Sequence, residues 1–173
     1  MNLSQTSLTH KWGYSSALGA PFYPSSPFAV EKMLKLAGAT SESIIYDLGC
    51  GIGDIVVAAA RDYNARKVVG IEQNQRLCSI ALRRTRHLKN AIIKNENYDD
   101  VDISEANLVT LYQSASENAR LKRKLLDELS EGTKVVSHDF GIPGWRPTDF
   151  QTFKEGNHSF RVIVYAIGSH TPI

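Results

Sequence analysis

The sequence predicts an α/β protein with a doubly wound, mostly parallel seven-stranded sheet and a C-terminal antiparallel hairpin. Short apolar runs rich in β-branched residues alternate along the chain with longer segments whose apolar residues recur at helical spacing. Near the C-terminus, two strand-like runs at residues 152–154 and 161–167 flank a Gly-containing turn. The alternation indicates parallel crossover units, and the final pair of runs adds a hairpin to the sheet.

The composition indicates one domain, and the net charge is too small to indicate a nucleic-acid or membrane partner. The chain has 173 residues, 42% of them hydrophobic, and its 20 basic and 18 acidic side chains leave a formal net charge of +2. Its two cysteines provide neither a disulfide framework nor paired metal-ligand spacing, so no metal site is predicted. No apolar run is long enough to span a bilayer, and the N-terminus lacks a signal-peptide core. We therefore expect a soluble, intracellular, cytoplasmic protein.

The beginning of the chain divides into a polar segment and the start of the domain. Residues 1–20 are polar and rich in Ser, Thr and Gly, so we expect either a flexible arm or a lid that orders on ligand binding. Residues 21–173 are expected to form the single domain. Its first helix should begin at Ser26-Pro27, as cap and first-turn residue, and should end at Gly38.

The most informative segment is the elbow between the first strand and the next helix. A buried strand is predicted over Ile44–Leu48 and a helix over the Ala-rich run Ile55–Ala60. Between them, Gly49, Gly51 and Gly53 allow positive φ angles and let a ligand approach the backbone. Strand, glycine loop and helix together predict a binding elbow of the nucleotide type.

The glycine spacing excludes the two most familiar phosphate-binding loops. A Gly-x-Gly-x-x-Gly dinucleotide motif would need its third glycine where this chain has Asp54 or Val56, and no Lys-Ser or Lys-Thr pair follows to complete a Walker A loop. What precedes the first glycine is an acid, Asp47. A carboxylate is a poor neighbour for pyrophosphate and a good one for a cation.

A second acid ends the second predicted strand. The apolar run that begins at Lys67 ends at Glu72, about 25 residues after Asp47 and near the ~20-residue offset at which βαβ units place a ribose-binding acid. A helix is then expected from about Gln75 to Leu88. Glu72 is therefore a candidate ligand for ribose hydroxyls rather than an exposed strand end.

The remaining strands deliver further polar residues to the same edge of the sheet. Strands are expected at 91–94, 108–112 and 134–137, with a helix at 118–129. In an open α/β sheet the ligand lies outside the carboxyl ends of the strands, so Asp47, Glu72, Asn97 and Tyr112 should converge on one crevice. The pair His138-Asp139 follows the fifth strand, and it reads equally well as an ordinary turn or as part of the active site.

At Asp47-x-Gly49-x-Gly51-x-Gly53 the sequence resembles the class I methyltransferases, which use S-adenosylmethionine and have a Rossmann-like fold. That ligand carries an ammonium and a sulfonium but no phosphate. A wider set of segments is similar to the small archaeal protein-lysine methyltransferases and their mitochondrial relatives. These segments are Phe22–Ser25, Tyr46–Gly51, Val101–Ala106, Gly132–His138 and Gly144–Pro147.

The resemblance implies a set of site residues. It assigns the S-adenosylmethionine contacts to Ser25, Asp47, Gly49, Cys50, Gly51, Glu72, Gln73, Asn97 and Tyr98, with Asn97 at the adenine. It places Tyr23 and Tyr112 beside the methyl group as the catalytic residues. No nucleophile of the protein is needed, because methyl transfer from a sulfonium is an in-line displacement that requires mainly alignment and exclusion of water.

The resemblance implies that the acceptor is a lysine side chain of a protein substrate, and three further observations agree with it. The chain has little material outside the sheet for a closed small-molecule lid. It also lacks the Asn-Pro-Pro-Tyr and Pro-Cys segments that other methyl acceptors use. An RNA acceptor would need a continuous basic patch. Such a patch could be formed by the basic residues at 83, 84 and 86 and at 120–124 only if the two helices that carry them lie near the crevice at the strand ends.

Two alternatives stay open at this point. The first is a methyltransferase that acts on a small molecule or RNA. The second is a cofactor-binding remnant that serves as an interaction module, against which the retained Asp47, Glu72 and Asn97 argue.

Overall fold

The computed structural model describes residues 24–169, which form a seven-stranded sheet in the order β3-β2-β1-β4-β5-β7-β6. Neighbouring strands from β1 to β5 are parallel, and β7 is antiparallel to both β5 and β6. The strands are β1 Ile44–Leu48, β2 Lys67–Ile71, β3 Ala91–Lys94, β4 Leu108–Leu111, β5 Lys134–His138, β6 Asp149–Glu155 and β7 His158–Ala166. The α-helices are α1 Pro27–Ala37, α2 Asp54–Arg61, α3 Gln75–Thr85 and α4 Ala115–Glu128, and a 3₁₀ helix spans Tyr98–Asp100.

The predicted fold class is confirmed. From β1 the chain adds β2 and β3 on one side and then returns to add β4 and β5 on the other side. The strand order therefore reverses between β1 and β4, and a crevice for ligands opens outside the carboxyl ends of these two strands.

The helices pack on both faces of the sheet. One core cluster joins α1 and α2 to the sheet, and a second joins α4 to the opposite face. Helix α3 contacts α2 and β3, so it lies on the same face as α1 and α2. This division follows from right-handed crossovers that run in opposite directions from the two central strands.

The predicted boundaries of α1 are confirmed by its caps. The Ser26 hydroxyl accepts a hydrogen bond from the N–H of Ala29 at 3.1 Å, Pro27 occupies the first turn, and Gly38 ends the helix with φ of 70°. The same hydroxyl donates to Glu155 at 2.6 Å. That bond ties the start of α1 to the C-terminal hairpin.

Several other elements differ in length from the sequence prediction, among them α3, α4 and β6. Helix α3 ends at Thr85 instead of Leu88, and the residues after it form a turn in which the N–H of Leu88 donates to the carbonyl of Thr85. Helix α4 begins three residues earlier than expected, because Ser114 caps it by accepting from the N–H of Glu117. Strand β6 extends over Asp149–Glu155 because it pairs with β7 along that whole length.

Two predictions concern residues outside the described range. The expected arm or lid of residues 1–20 and the candidate catalytic residue Tyr23 both precede Pro24, where the description begins. Within residues 24–169, no helix is both long and apolar enough to cross a membrane.

Candidate active site

Strand register brings the predicted site residues into line at one edge of the sheet. Asp47 pairs with Thr110 of β4, and Leu111 of β4 pairs with Ser137 of β5. Tyr112 and His138 follow these paired residues directly. Since registered residues on neighbouring parallel strands share a face, Asp47, Thr110, Tyr112 and His138 belong to the face that carries α1 and α2.

Asp47 is a buried carboxylate that accepts a hydrogen bond from β4. Its side chain is 3% exposed, and the hydroxyl of Thr110 donates to Oδ1 at 2.7 Å. Burial raises the pKa of Asp47 to about 7, and the nearby carboxylates of Asp54 and Glu72 add to this, while the Thr110 bond opposes it. A positively charged ligand would favour the ionised form of Asp47.

Glu72 lies directly after β2 and is bonded to the glycine loop. It is 8% exposed, its Oε2 accepts from the N–H of Gly51 at 2.9 Å, and its Oε1 accepts from the N–H of Asn74 at 2.7 Å. Burial raises the pKa of the Glu72 carboxyl, and the two backbone donors oppose that shift. The alternative of an exposed strand end is wrong, because Glu72 is buried and holds the loop.

The glycine loop is held by its backbone. The N–H groups of Gly49 and Cys50 both donate to the carbonyl of Ile71 at 2.9 Å, and Gly49 has φ of 81°. The thiol of Cys50 is buried over Gly70, where an added Cβ would lie 2.8 Å from the sulfur. Cys50 therefore turns its side chain into the core and offers its backbone to the loop.

Sequence reasoning missed Gln113, which closes the loop from the β4 side. Its Nε2 donates to the carbonyl of Leu48 at 2.9 Å, and a Cβ on Gly49 would lie only 2.0 Å from that nitrogen. The signal available in the sequence was a polar residue close after the end of a strand. Gln113 thereby joins the end of β4 to the glycine loop after β1.

A second residue missed by the sequence analysis, Asn95, fixes the turn after β2. Its Nδ2 donates to the carbonyl of Glu72 at 2.8 Å and to that of Gln73 at 3.1 Å. The candidate cofactor residue Gln73 is exposed at this turn. Asn95 thus orients both residues from the end of β3.

Asn97 and Tyr98 have different surroundings although they are neighbours. Asn97 is exposed and caps the 3₁₀ helix by accepting from the N–H of Asp99 at 3.1 Å. Tyr98 is buried, and its hydroxyl donates to Glu117 of α4. Arg120 bonds the same Glu117 carboxylate at 2.6 Å, so the Tyr98 hydroxyl belongs to a network that anchors the turn to α4.

The rings of Tyr112 and His138 lie against each other where β4 and β5 end. Their centroids are 4.1 Å apart with the planes inclined by 34°, and Phe160 of β7 meets His138 edge-on at 5.1 Å. Asp139 has φ of 61° and is held by Arg161, whose N–H donates to Oδ1 at 2.8 Å. The structure therefore brings Tyr112 together with His138, while Ser25 lies just before α1 as a half-buried residue.

The two basic clusters do not form one surface. Helix α3 with Arg83 and Arg84 and helix α4 with Arg120 and Arg123 pack on opposite faces of the sheet. On α4, three of the four basic side chains are also paired with acids: Arg120 with Asp99 and Glu117, Arg123 with Asp127, and Lys124 with Glu128. The fourth, Lys122, donates to the carbonyl of Pro143 at 3.0 Å. The geometric condition for a basic patch built from both helices is not met.

No metal centre is evident in residues 24–169, which contain no group of three or more His, Cys, Asp or Glu side chains able to hold an ion. The site therefore consists of a backbone loop, two buried carboxylates and a pair of stacked rings.

A family model described as the ANTKMT methyltransferase domain matches residues 47–149, more than half of the chain. The chain belongs to this methyltransferase family. The match begins at Asp47 and includes the glycine loop, Glu72, Asn97, Tyr112 and His138. The family resemblance and the Rossmann-like methyltransferase fold that the sequence predicted are both confirmed.

Two proteins that are similar in sequence to this chain agree with the match. The chain is 41% identical over 155 residues to a protein-lysine N-methyltransferase of Saccharolobus islandicus, covering 87% of this chain and 95% of that protein. It is 32% identical over 133 residues to the adenine nucleotide translocase lysine N-methyltransferase of Mus musculus, covering 75% of this chain and 57% of that protein.

Among solved structures, an RNA methyltransferase from Salinibacter ruber in complex with S-adenosyl-L-homocysteine superimposes with a TM-score of 0.79 and 35% identity. The alignment covers 87% of this chain and 97% of that one.

Proposed function

We propose that this chain is an S-adenosylmethionine-dependent methyltransferase that methylates lysine side chains of proteins. The observation that carries the proposal is its 41% identity to a protein-lysine N-methyltransferase across 95% of that relative's length. The relative from Mus musculus is also named as a lysine N-methyltransferase. Cys50 and Cys78 are free thiols, which is typical of the expected reducing, cytoplasmic compartment.

The donor set of the site suits a cofactor that carries positive charge and hydroxyl groups. Asp47 and Glu72 are buried carboxylates on either side of the glycine loop, and such charges are costly without a partner. We assign Asp47 to the charged amino-acid end of the cofactor, Glu72 to the ribose hydroxyls and Asn97 to the adenine. Gly49, Cys50, Gly51, Gln73, Tyr98 and Ser25 complete the proposed contacts.

When bound, S-adenosylmethionine supplies an activated methyl group on its sulfonium. The residues of the chain then need to align the acceptor and exclude water, because the leaving group departs uncharged. Tyr112 lies one strand away from the glycine loop and is assigned to the acceptor path. Tyr23, which precedes the described residues, keeps the same assignment as a proposal.

The acceptor must be the neutral amine. A lysine with the ordinary pKa near 10.4 is neutral for roughly one molecule in several thousand at pH 7. A site that receives an extended side chain through a narrow opening favours the free amine because desolvation penalises the ammonium.

RNA is the second candidate acceptor, favoured by the name of the 35% identical Salinibacter ruber protein. The charge distribution argues against it, because the basic residues of α3 and α4 lie on opposite faces and three of the four basic residues of α4 are paired with acids. Binding to a phosphate backbone would require unpaired basic side chains on one continuous surface. Lysine is therefore the acceptor that the site supports better.

Labelled cofactor separates the two acceptors directly. The purified protein is incubated with methyl-labelled S-adenosylmethionine and cell lysate, and portions are then treated with protease or nuclease. We expect label that is protease-sensitive, nuclease-resistant and located on lysine by mass spectrometry, and we expect much less label with the Glu72→Ala variant at a limiting cofactor concentration. Label that disappears only with nuclease, or that stays in low-molecular-weight material, would replace lysine with RNA or a small molecule.

A further inference from the structure

The adjacent ends of β4 and β5 each deliver a ring to the acceptor side of the site. The register Leu111↔Ser137 places Tyr112 beside His138, and their ring centroids are 4.1 Å apart. The stack continues away from the glycine loop. Phe160 contacts His138 edge-on at 5.1 Å, and Phe28 of α1 meets Phe160 at 6.0 Å. His138 is thus the ring that connects half-buried Tyr112 to the firmly packed interior.

The imidazole of His138 is buried without a strong polar partner. Its residue is 6% exposed, and Nδ1 makes no hydrogen bond to any residue in the range 24–169. Its Nε2 lies 3.8 Å from Oδ2 of Asp139, which is too far for a hydrogen bond. Leaving a buried polar atom unpaired costs free energy, so a histidine here calls for a reason other than stability.

The charged groups around His138 come from three elements. Asp139 follows β5, Glu155 ends β6, and Arg161 of β7 donates to the carbonyl of Asp139 at 2.8 Å. Burial lowers the pKa of His138, while the charges of Asp139 and Glu155 act in the opposite direction. The imidazole is therefore neutral at neutral pH, and it acts on Tyr112 as an aromatic plane and not as a cation.

We propose that His138 is a positioning residue for methyl transfer, which holds the Tyr112 ring in one orientation on the acceptor side. This inference rests on the proposed function, since it assigns Tyr112 to the path of the lysine side chain. Tyr112 leaves β4 for a loop and is only half-buried, so a flat partner on one side fixes its rotamer. In-line displacement is sensitive to such placement, because a shift of about 1 Å in the reacting geometry can cost on the order of 100-fold in rate.

Two substitutions distinguish positioning from simple packing. His138→Phe keeps an aromatic plane against Tyr112, whereas His138→Leu keeps apolar bulk without a plane. Both remove the unpaired nitrogen, so both should fold. His158→Ala, at an exposed position where β7 begins, serves as the matched control.

We expect His138→Leu to lower kcat by roughly tenfold or more while the Kd for S-adenosylhomocysteine stays within about twofold of the wild-type value. His138→Phe should retain kcat within about threefold, and His158→Ala should match the wild type. Equal kcat values for the Leu and Phe variants would overturn the proposal. A parallel loss of cofactor affinity and thermal stability in the Leu variant would also overturn it, since that result indicates a packing role.

The outcome stays separable from the proposed function. If the wild-type label lies on RNA, lysine methylation fails as the function, and the comparison of the Phe and Leu variants is made with the RNA acceptor. If lysine is labelled and the two variants are equal, only the positioning role of His138 fails.

Discussion

The carboxylate of Glu72 accepts a hydrogen bond from the backbone N–H of Gly51, with 2.9 Å between the two heavy atoms. The acid that follows β2 and the glycine loop that follows β1 are therefore joined across adjacent strands. A second backbone donor, the N–H of Asn74, occupies the other carboxylate oxygen at 2.7 Å. Glu72 thus shapes the loop in addition to its proposed contact with the cofactor.

Substitution of Glu72 should therefore affect binding and stability together. Glu72→Ala removes charge-assisted bonds to the cofactor, so we expect cofactor binding to weaken by roughly 1.5 to 3 kcal/mol. It also leaves the N–H groups of Gly51 and Asn74 unpaired, which should lower the free energy of unfolding by about 1 to 3 kcal/mol. Glu72→Gln keeps an acceptor oxygen and should do less harm on both counts. Calorimetric titration and denaturant unfolding measure the two effects, and normal cofactor binding by the Ala variant would contradict the assignment.

Asp47 should reduce the stability of the cofactor-free protein at alkaline pH. Its pKa of about 7 in the folded state lies above the ordinary aspartate value, so the folded state holds a proton that the unfolded state has lost. The free energy of unfolding contributed by this group therefore falls as pH rises from about 4 to about 7 and is constant above that.

Asp47→Asn removes this dependence and keeps an acceptor for the Thr110 hydroxyl. We expect the Asn variant to be more stable than the wild type at pH 8, with a smaller difference at pH 5. Chemical unfolding at the two pH values tests this. A variant less stable than the wild type at pH 8 would contradict the destabilising effect expected from burial of the ionised Asp47 carboxylate.

The same residue should make cofactor binding depend on pH. Because the cationic cofactor favours ionised Asp47, binding should release a proton and become tighter as pH rises from 6 to 8. Calorimetry in buffers of different ionisation enthalpy measures the proton release. The Asp47→Asn variant should bind more weakly and show a flatter pH profile, and an unchanged profile would assign the dependence to another group.

Residues that lie at the end of a predicted strand could be predicted from the sequence. Contacts between residues of different strands could not, because they depend on the strand register. Asp47 and Glu72 were identified because an acid after an apolar run is recognisable locally. Two contacts join segments that are distant in the sequence. One is the hydrogen bond from Gln113 to the backbone carbonyl of Leu48, and the other is the ring contact between Tyr112 and His138. Neither pairing is visible until the order and register of β1, β4 and β5 are known.

The helices illustrate the same limit. The basic residues of α3 and α4 were evident in the sequence, but their placement on opposite faces follows only from the strand order. The start of α4 was missed because Ser114 acts as its cap within a run of polar residues that offers several candidate caps.

Gly49→Ala should destabilise the protein through both backbone strain and the displacement of Gln113. The φ of 81° costs a non-glycine residue about 1 to 2 kcal/mol, and the new Cβ would break the Gln113 bond to Leu48, worth about 1 kcal/mol more. Gly132→Ala is the matched control, since Gly132 has φ of 84° and nothing within 4 Å of an added Cβ. On a Gln113→Ala background, Gly49→Ala should cost no more than the control, and denaturant unfolding of the four variants measures the difference.

Methyl transfer to lysine should accelerate with pH, and Tyr112 should act on turnover more than on cofactor binding. Because the neutral amine is the nucleophile, kcat at saturating cofactor should rise by up to tenfold per pH unit from about 7 towards 9, unless the site depresses the lysine pKa strongly.

Tyr112→Ala removes the ring from the proposed acceptor path and should lower kcat by roughly 10 to 100-fold, since alignment is lost. Its Kd for S-adenosylhomocysteine should change little, because the proposed cofactor contacts lie at Ser25, in β1 and on the loops after β1, β2 and β3, and none of them is in β4. Initial rates with a lysine-containing protein acceptor, measured beside calorimetric Kd values, test both statements. A rate independent of pH from 7 to 9 would show that deprotonation of the lysine does not limit the reaction. A Tyr112→Ala variant that loses cofactor affinity and turnover equally would move Tyr112 from the acceptor path to the cofactor site.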